Sequence, residues 1–335
     1  MSSARLLTHL VTGAAGQDGI LLTRRLLAAG HRVVACVAPG AAPSALLDGA
    51  EVVEHDVRDT DAFATLLTRT GADVVHNLAA LSSVAASWED PAASQEINQD
   101  AVLGMLDVLR GHDRAVTFVQ ASSADIVGAG DGPGSTVTED TPLAPVSPYA
   151  EHKAAAHRAV RTARADGHRA TNLILFGHTS VLHAPRFVLP RITTQVAQLA
   201  RAGGDTVWLQ APGVRRDWGA AGDFVRAFAL AASATPGDFV IGTGDLHDLR
   251  EIAGWALARA GVEARVARPE DAPERPHDFD GLRADASRAA GVLGWRPAIT
   301  LRAEIERMVD IELRRAGTDR TLDDVAEELD AGPRC

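Results

Sequence analysis

The chain has 335 residues, 46% of them hydrophobic, and its formal net charge is −11 at pH 7. This length allows a sizeable buried core, in one large domain or in two that pack closely. The negative charge, with no separate arginine-rich block, argues against nucleic acid and anionic membranes as partners. Because there are only two cysteines, no signal-peptide layout and no apolar run of membrane length, we expect a cytoplasmic protein without a disulfide framework.

The first predicted elements are a strand, a glycine-rich turn and a helix. Apolar residues 6–11 predict the strand, and apolar residues with helical spacing at 20–29 predict the helix, which Gly30 ends. Glycines between the two let the backbone approach a pyrophosphate, which then lies at the helix N-terminus. The turn therefore predicts a dinucleotide site, whose expected contacts are Gly13, Gly16, Gln17, Asp18 and Gly19.

The second predicted strand, residues 31–37, leads to the position that usually selects between NAD and NADP. An acid there binds the ribose hydroxyls, and an arginine binds the extra phosphate of NADP. This chain has Ala38-Pro39-Gly40 instead, so the sequence leaves NAD and NADP both open.

The next segments continue to alternate between strand and helix. Residues 51–53 and 73–78 predict strands, 94–109 a helix, and 116–121 a fifth strand. This alternation predicts an α/β fold with a doubly wound parallel sheet of the Rossmann type. Contacts to the cofactor are expected after the third and fourth strands, at Asp56, Val57, Leu78, Ala79 and Ala80.

Two polar side chains follow the fifth strand, where the carboxyl ends of parallel strands line the ligand crevice. Ser123 could donate a hydrogen bond to a substrate oxygen, and Asp125 could act as a base. A serine pair at this place is also compatible with a simple turn or helix cap.

The strongest single signal is the pair Tyr149 and Lys153, the only tyrosine and the only lysine in the chain. Their four-residue spacing puts both side chains on one face of a helix. A nearby ammonium group favours the phenolate and lowers the pKa of a tyrosine, so that it can exchange protons with an alcohol during hydride transfer. The pair therefore predicts an oxidoreductase centre.

Together these motifs resemble the extended short-chain dehydrogenase/reductase family, in particular the GDP-mannose 4,6-dehydratase group of its nucleotide-sugar branch. The resemblance covers about residues 5–313. It is carried by Gly16-Gln17-Asp18-Gly19, Asn77-Leu78-Ala79-Ala80, Gln120-Ala121-Ser122-Ser123, Ser147-Pro148-Tyr149 with Lys153, Leu175-Phe176-Gly177-His178-Thr179-Ser180, Arg186-Phe187-Val188, Arg216-Asp217-Trp218-Gly219 and Leu293-Gly294-Trp295-Arg296-Pro297.

The resemblance implies a nucleotide-sugar substrate and a three-stage dehydration that regenerates NAD or NADP. Tyr149 would accept the C4 hydroxyl proton as C4 is oxidised, a carboxylate would take the C5 proton while water leaves C6, and the hydride would return to C6. Ser123 and Asp125 match the active-site hydroxyl and the base of the family. Expected substrate contacts are Ser82, Arg186, Arg216 and Arg275.

Several departures from the family pattern leave the reaction open. Asp125 stands where the dehydratases have glutamate, Ala124 replaces a polar residue, Val127 replaces a tyrosine, and Gly177 replaces an asparagine that contacts the substrate. A GDP-hexose 4,6-dehydratase is the leading hypothesis. The alternatives are a nucleotide-sugar epimerase, a 4-keto-sugar reductase, and a non-catalytic protein that senses the cofactor.

We expect residues 1–176 with about 213–245 to form the cofactor domain, and residues 177–212 with 246–315 to form a smaller substrate domain. Residues 316–335 are expected to be a C-terminal tail. The family also implies a homo-oligomer, a dimer or a tetramer, that assembles through helices. No histidine or carboxylate cluster has metal-ligand spacing, so no metal site is expected.

Overall fold

The computed structural model describes residues 6–42, 44–130, 132, 134–270 and 281–315. Its strands are β1 (Thr8–Thr12), β2 (Arg32–Val37), β3 (Glu51–Glu54), β4 (Val74–Asn77), β5 (Thr117–Ser123), β6 (Thr136–Val137), β7 (Ala170–Leu175), β8 (Gly177–Thr179), β9 (Thr206–Trp208), β10 (Arg215–Ala220), β11 (Asp238–Ile241), β12 (Leu246–Asp248), β13 (Arg265–Ala267) and β14 (Arg283–Ala284). Its α-helices are α1 (Gln17–Ala28), α2 (Thr60–Thr70), α3 (Val84–Glu89), α4 (Pro91–Gln95), α5 (Ala101–Arg110), α6 (Pro148–Ala165), α7 (Val188–Ala202), α8 (Ala221–Ala231), α9 (Leu249–Ala260), α10 (Ser287–Val292) and α11 (Leu301–Arg315).

The main sheet has seven strands in the order β11-β7-β5-β4-β1-β2-β3, and every neighbouring pair is parallel. From β1 the chain first builds outward through β2 and β3, then returns to the other side of β1 with β4. The order therefore reverses between β1 and β4, and such a reversal opens a crevice at the carboxyl ends of the strands. The predicted doubly wound parallel sheet is confirmed.

Apolar strands and helices on both faces explain why this sheet is buried. α1 packs against α8 on one face, and α5 packs against α2 and α6 on the other. All seven residues of β5 are buried, as expected for a central parallel strand covered on both sides. Phe228 and Phe118 are fully buried on opposite faces, and burial of each such side chain contributes roughly 2 kcal/mol.

The predicted helix 94–109 is divided in the structure. α4 and α5 are joined by a π-helical turn, Glu96–Asp100, in which Asn98 is buried. The Asn98 amide accepts a hydrogen bond from the Leu81 N–H at 3.0 Å and donates one to the Leu81 carbonyl at 3.1 Å. The π turn thus places a polar side chain where it holds the loop that follows β4.

A smaller part of the protein lies after β7. β8, β10 and β12 form a three-stranded sheet, and α7, α9 and α11 pack together around a separate apolar core. Within the predicted 213–245 segment, β11 joins the main sheet and α8 packs on α1, whereas β10 pairs with β8 and β12. The exact division into two domains stays a prediction, and the tail at 316–335 lies outside the described residues.

Candidate active site

A chain of buried hydrogen bonds links the carboxyl ends of the three strands beside the crevice. The Thr12 hydroxyl, at the end of β1, donates to the Asn77 amide oxygen of β4 at 2.5 Å. The Asn77 amide nitrogen donates to Gln120 of β5 at 2.9 Å, and Gln120 in turn donates to the Ala121 carbonyl at 2.9 Å. These bonds fix the relative positions of β1, β4 and β5 beneath the site.

The predicted cofactor turn packs too closely for side chains. Gly13 has φ +68°, and a Cβ there would lie 2.8 Å from the Ala79 backbone nitrogen. A Cβ on Gly19 would lie 2.3 Å from the Gly13 carbonyl oxygen, whereas one on Gly16 would meet only that oxygen, at 3.3 Å. Gly16 is exposed, and α1 starts at the next residue. An open turn before a helix N-terminus fits the pyrophosphate of a dinucleotide.

The other predicted cofactor contacts follow the carboxyl ends of β3 and β4. Leu78, Ala79 and Ala80 are half-buried directly after β4. Asp56, after β3, is held by Arg58, whose guanidinium nitrogen lies 2.7 Å from its carboxylate. This ion pair and the Arg58 backbone N–H lower the pKa of Asp56 to about 2. Val57 beside it is half-buried.

Lys153 is fixed beneath the site by the geometry of α6. The helix begins with Ser147 as its N-cap, which accepts a hydrogen bond from the Ala150 N–H, and with Pro148 in its first turn. One turn further along than Tyr149, the Lys153 ammonium donates to the Ala121 carbonyl at 2.7 Å. Lys153 is almost fully buried, and burial lowers its pKa to about 8.

Tyr149 differs from the expectation in its electrostatics. Burial raises the pKa of the phenol well above 10, the negative charge of Asp125 raises it further, and a hydrogen bond with Ser123 opposes these effects. The lowering expected from Lys153 is absent in the free protein, where burial of the phenol dominates its pKa. In this state Tyr149 is a neutral phenol.

Ser123 and Asp125 stand beside Tyr149, as the sequence predicts. The Ser123 hydroxyl accepts a hydrogen bond from the Asp125 N–H at 3.2 Å and donates to its carboxylate at 3.3 Å. The Asp125 side chain is exposed to solvent within a crevice walled by protein. Burial by the surrounding protein raises the pKa of the Asp125 carboxyl. The hydrogen bond with Ser123 and the charge of Arg216 lower this pKa but do not cancel the effect of burial. Carboxyl, hydroxyl and phenol thus meet at the end of β5.

The predicted substrate contacts are spread over distant segments. Arg216, in β10, is half-buried and close enough to influence Asp125. Arg186 is exposed, with its guanidinium carbon 4.8 Å from the centre of the Phe187 ring. Ser82 is exposed in the loop before α3, and Arg275 lies outside the described residues. Of the three predicted substrate contacts that the structure describes, only Arg216 lies near Asp125.

An ion pair that the sequence did not predict joins the cofactor turn to β8. The His178 ring nitrogens lie 2.8 Å from the Asp18 carboxylate and 2.8 Å from the Phe176 carbonyl. Only an imidazolium can donate to both. Burial lowers the pKa of His178, but the Asp18 charge and both hydrogen bonds raise it above its ordinary value. The Asp18 side chain is thus committed to His178.

Further contacts strengthen the same junction. The Ser180 hydroxyl donates to the Gln17 amide oxygen at 2.9 Å, and the Gln17 amide nitrogen donates to Asp18 at 3.1 Å. The sequence carries one signal of this junction, the polar segment Gly177-His178-Thr179-Ser180, which begins two residues after the end of β7. Its partner, however, lies 160 residues away.

Gly177, where the family pattern has asparagine, packs against an indole ring. A Cβ at Gly177 would lie 2.4 Å from the Cδ1 atom of Trp218, its register partner on β10. The half-buried Trp218 ring therefore occupies the space of a side chain at 177. At this position the structure has an indole ring instead of the amide of the family pattern.

Neither a metal centre nor a membrane-spanning helix is found in the described ranges. No group of three or more His, Cys, Asp or Glu side chains there could hold a metal ion. In the same part of the chain, no helix is long and apolar enough to cross a membrane.

Comparison with known proteins gives a consistent result. The sequence profile of the GDP-mannose 4,6 dehydratase family matches residues 10–308. GDP-mannose 4,6 dehydratase 1 of Arabidopsis thaliana is 32% identical over 94% of this chain and 92% of its own length. GDP-mannose 4,6-dehydratase of Vibrio cholerae is 29% identical over 92% and 94%.

Solved structures of related enzymes share the fold. The UDP-glucose 4-epimerase of Thermus thermophilus, in complex with NAD, superposes with a TM-score of 0.79 and 27% identity, covering 92% of this chain and 100% of that one. MoeE5, in complex with UDP-glucose and NAD, has a TM-score of 0.78 and 26% identity, covering 93% and 100%. Both were solved with NAD, which agrees with the glycine-rich turn described above.

Proposed function

The chain belongs to the GDP-mannose 4,6-dehydratase family, and on that premise we propose that it is a GDP-hexose 4,6-dehydratase that uses NAD or NADP. The observation that carries this proposal is the meeting of Tyr149, Ser123 and Asp125 at the carboxyl end of β5. Its net reaction removes one water from the sugar and leaves a 4-keto-6-deoxy product.

The turn Gly13–Gly19 and the residues after β4 would hold the cofactor. When bound, the nicotinamide would supply reversible oxidation at the sugar. Tyr149 would take the proton from the hydroxyl that becomes the carbonyl, and Ser123 would orient that oxygen. Lys153, held on the Ala121 carbonyl one turn from Tyr149, would supply the positive charge that favours the phenolate as the substrate hydroxyl exchanges its proton.

Asp125 would take the proton next to the new carbonyl, after which the neighbouring hydroxyl leaves as water. Its pKa is raised by the surrounding protein, which moves a carboxylate toward the range where it works as a base near neutral pH. Its position next to Ser123 and Tyr149 supports this role. Arg216, near Asp125, would bind the diphosphate, together with other groups from residues 177–212 and 246–315.

One observation favours an epimerase as the second candidate. Ala124, where the family has a polar residue, is 9% exposed and packs in the main apolar core. It offers no acid for the departing hydroxyl. Without that acid and with the shorter Asp125, the same oxidation at C4 could end in a changed configuration instead of elimination. A 4-keto-sugar reductase would need Tyr149 and Lys153 but no base at 125.

Incubation in heavy water with NAD or NADP and a panel headed by GDP-mannose, followed by mass spectrometry, tests the proposal. We expect a product that is lighter by one water and carries solvent deuterium. A product that keeps all oxygen atoms of the substrate but has a new sugar configuration would identify the protein as an epimerase instead of a dehydratase. Binding of no nicotinamide cofactor would refute an oxidoreductase function altogether.

Variants at the two central residues serve as controls for that assay. Tyr149→Phe should lower turnover by about a thousandfold, because the proton acceptor is lost, while cofactor binding persists. Asp125→Asn should abolish water loss. Unchanged turnover of Tyr149→Phe would contradict its assignment, and would favour a protein that only senses the cofactor.

We also propose a cytoplasmic homo-oligomer that assembles through its helices. Support comes from large apolar side chains on α3 and α5, where Trp88 is 59% and Leu103 40% exposed. A second copy covering them would remove apolar area from water. Light scattering at several concentrations measures the mass, and a strict monomer would contradict this proposal.

A further inference from the structure

Three side chains on one face of α6 contact the end of β5 in a regular pattern. Tyr149, Lys153 and His157 follow one another at four-residue spacing, and all are buried. Tyr149 has its hydrogen bond with Ser123, Lys153 donates to the Ala121 carbonyl, and His157 contacts Ser122. Three consecutive residues of β5 are thus each held by one turn of α6.

The third of these contacts continues into the protein as a polar chain. The His157 Nδ1 lies 3.1 Å from the Ser122 hydroxyl oxygen, and its Nε2 lies 3.7 Å from the Asp238 carboxylate of β11. Asn172 of β7 donates to the Asp238 carboxylate at 2.9 Å and to the His157 carbonyl at 3.2 Å. The contacts join α6 to three strands of the main sheet.

The tautomer of His157 follows from its surroundings. Burial lowers its pKa to about 4, with the Asp238 charge opposing and the charges of Arg161 and Arg164 assisting, so the ring is neutral at pH 7. A carboxylate on the Nε2 side favours a proton on that nitrogen. Nδ1 then accepts a hydrogen bond from the Ser122 hydroxyl.

The order serine, histidine, aspartate is that of a hydrolytic triad, but this one cannot reach a substrate. Ser122 is 3% exposed, inside a central strand, and His157 is 1% exposed. A nucleophile needs an accessible face, which Ser122 lacks. The three residues instead pin α6 to β5 immediately beside the carbonyl that holds Lys153.

We propose that Ser122 and His157, whose tautomer Asp238 sets, are positioning residues that fix the register of α6 against β5 and thereby hold the Lys153 ammonium on the Ala121 carbonyl. The consequence for catalysis rests on the proposed function of Tyr149 and Lys153. The geometric claim does not, because it concerns the environment of one ammonium group in the free protein.

The single lysine of the chain makes this claim directly measurable. Protein grown with lysine labelled with ¹³C at the ε carbon gives one side-chain signal, whose shift against pH reports the titration of Lys153. The test compares the full-length wild type with Ser122→Ala, His157→Asn and His157→Gln. Asparagine can place an amide where Nδ1 lies, and glutamine can place one where Nε2 lies.

Val160→Ala is the matched control. Val160 is fully buried on the same helix, in an apolar cluster away from the polar chain. Its truncation loosens the packing of α6 without removing a hydrogen bond. If Ser122 only stabilised the fold, Ser122→Ala and Val160→Ala would shift the titration midpoint of Lys153 by similar amounts.

We expect a wild-type midpoint near pH 8. Ser122→Ala and His157→Gln should raise it by about one pH unit, because a displaced ammonium gains water. His157→Asn and Val160→Ala should stay within about 0.3 units of the wild type. If Ser122→Ala does not fold, His157→Gln carries the same test. An unmoved midpoint in the folded variants, or an equal move in Val160→Ala, would overturn the proposal.

Turnover separates this proposal from the proposed function. If dehydration occurs, Ser122→Ala should lower kcat by at least about tenfold while cofactor binding is retained, and the pH profile of kcat should move with the lysine midpoint. A moved midpoint in a protein without dehydratase activity would leave the positioning role standing and reject the activity.

Discussion

Buried histidines carry no charge in the interior of the main sheet, but the one at the junction between the predicted cofactor turn and β8 is positively charged. In the sheet, His9 and His76 lie with ring nitrogens 2.9 Å apart and their rings stacked. Burial lowers the pKa of His9 to about 4 and that of His76 well below 6.5, so both are neutral at pH 7. At the junction, His178 is an imidazolium held by Asp18.

The difference shows that the partner of a buried imidazole decides its charge. One ring nitrogen each of His9 and His76 is buried without a hydrogen-bond partner. The charge of Asp73 opposes the effect of burial on His9 only in part, whereas His178 has a carboxylate in direct contact at 2.8 Å. The sheet interior is therefore a neutral, tightly packed frame, and the junction is a charged contact between two parts of the crevice.

The packing of the predicted cofactor turn is tested by two of its glycines. Gly19→Ala should lower the free energy of unfolding by about 3 kcal/mol, because its Cβ would meet backbone atoms of Gly13 and Ala14 at 2.3 and 2.5 Å. Gly16→Ala should change it by less than about 0.5 kcal/mol, yet weaken cofactor binding. Urea unfolding and a cofactor titration measure both. Equal loss of stability in the two variants would contradict the packing described.

Acid should weaken the neutral frame. A group whose folded pKa is depressed favours the unfolded chain as pH falls below its ordinary value of 6.5, here down to about 4. Between pH 7 and pH 5, His9 alone should cost about 2 kcal/mol of stability.

Urea unfolding at the two pH values measures that loss. The double variant His9→Leu with His76→Leu is the control, and its stability should depend less on pH over this range. An equally steep dependence in the variant would place the acid sensitivity elsewhere.

The junction should respond in the other direction. The pKa of His178 is raised above 6.5 and that of Asp18 is lowered below 3.8, so their pairing is fully present between these two pH values and is lost as pH rises through the folded value of His178. Asp18→Asn should therefore cost about 1 kcal/mol more at pH 6 than at pH 9. Asp56→Asn, which removes an exposed pair with Arg58, is the matched control with little effect. An effect of Asp18→Asn that is independent of pH would refute an ion pair.

The sequence predicted those features that depend on local pattern or on unique residues. Alternating strands and helices were enough for the parallel sheet, and the glycine spacing was enough for the turn. The lone Tyr149 and Lys153 marked the helix face that meets β5. In each case the information lies within a few residues of chain.

Features that depend on the meeting of distant segments escaped prediction. The partner of Asp18 is 160 residues away, and the indole beside Gly177 comes from β10, the neighbouring strand of the three-stranded sheet. The neutral state of Tyr149 depends on burial and on Asp125, which no spacing reveals. Charge and contact at such points follow only from the assembled fold.

The path of the chain also limits how such a protein can change by recombination. It leaves the main sheet after β7, forms β8 to β10, returns for α8 and β11, and leaves again for β12. Exchange of one contiguous segment therefore cannot replace the whole smaller part and still keep β11 in the main sheet. A new sugar preference in this lineage would arise more readily by individual substitutions at the crevice than by the shuffling of a module.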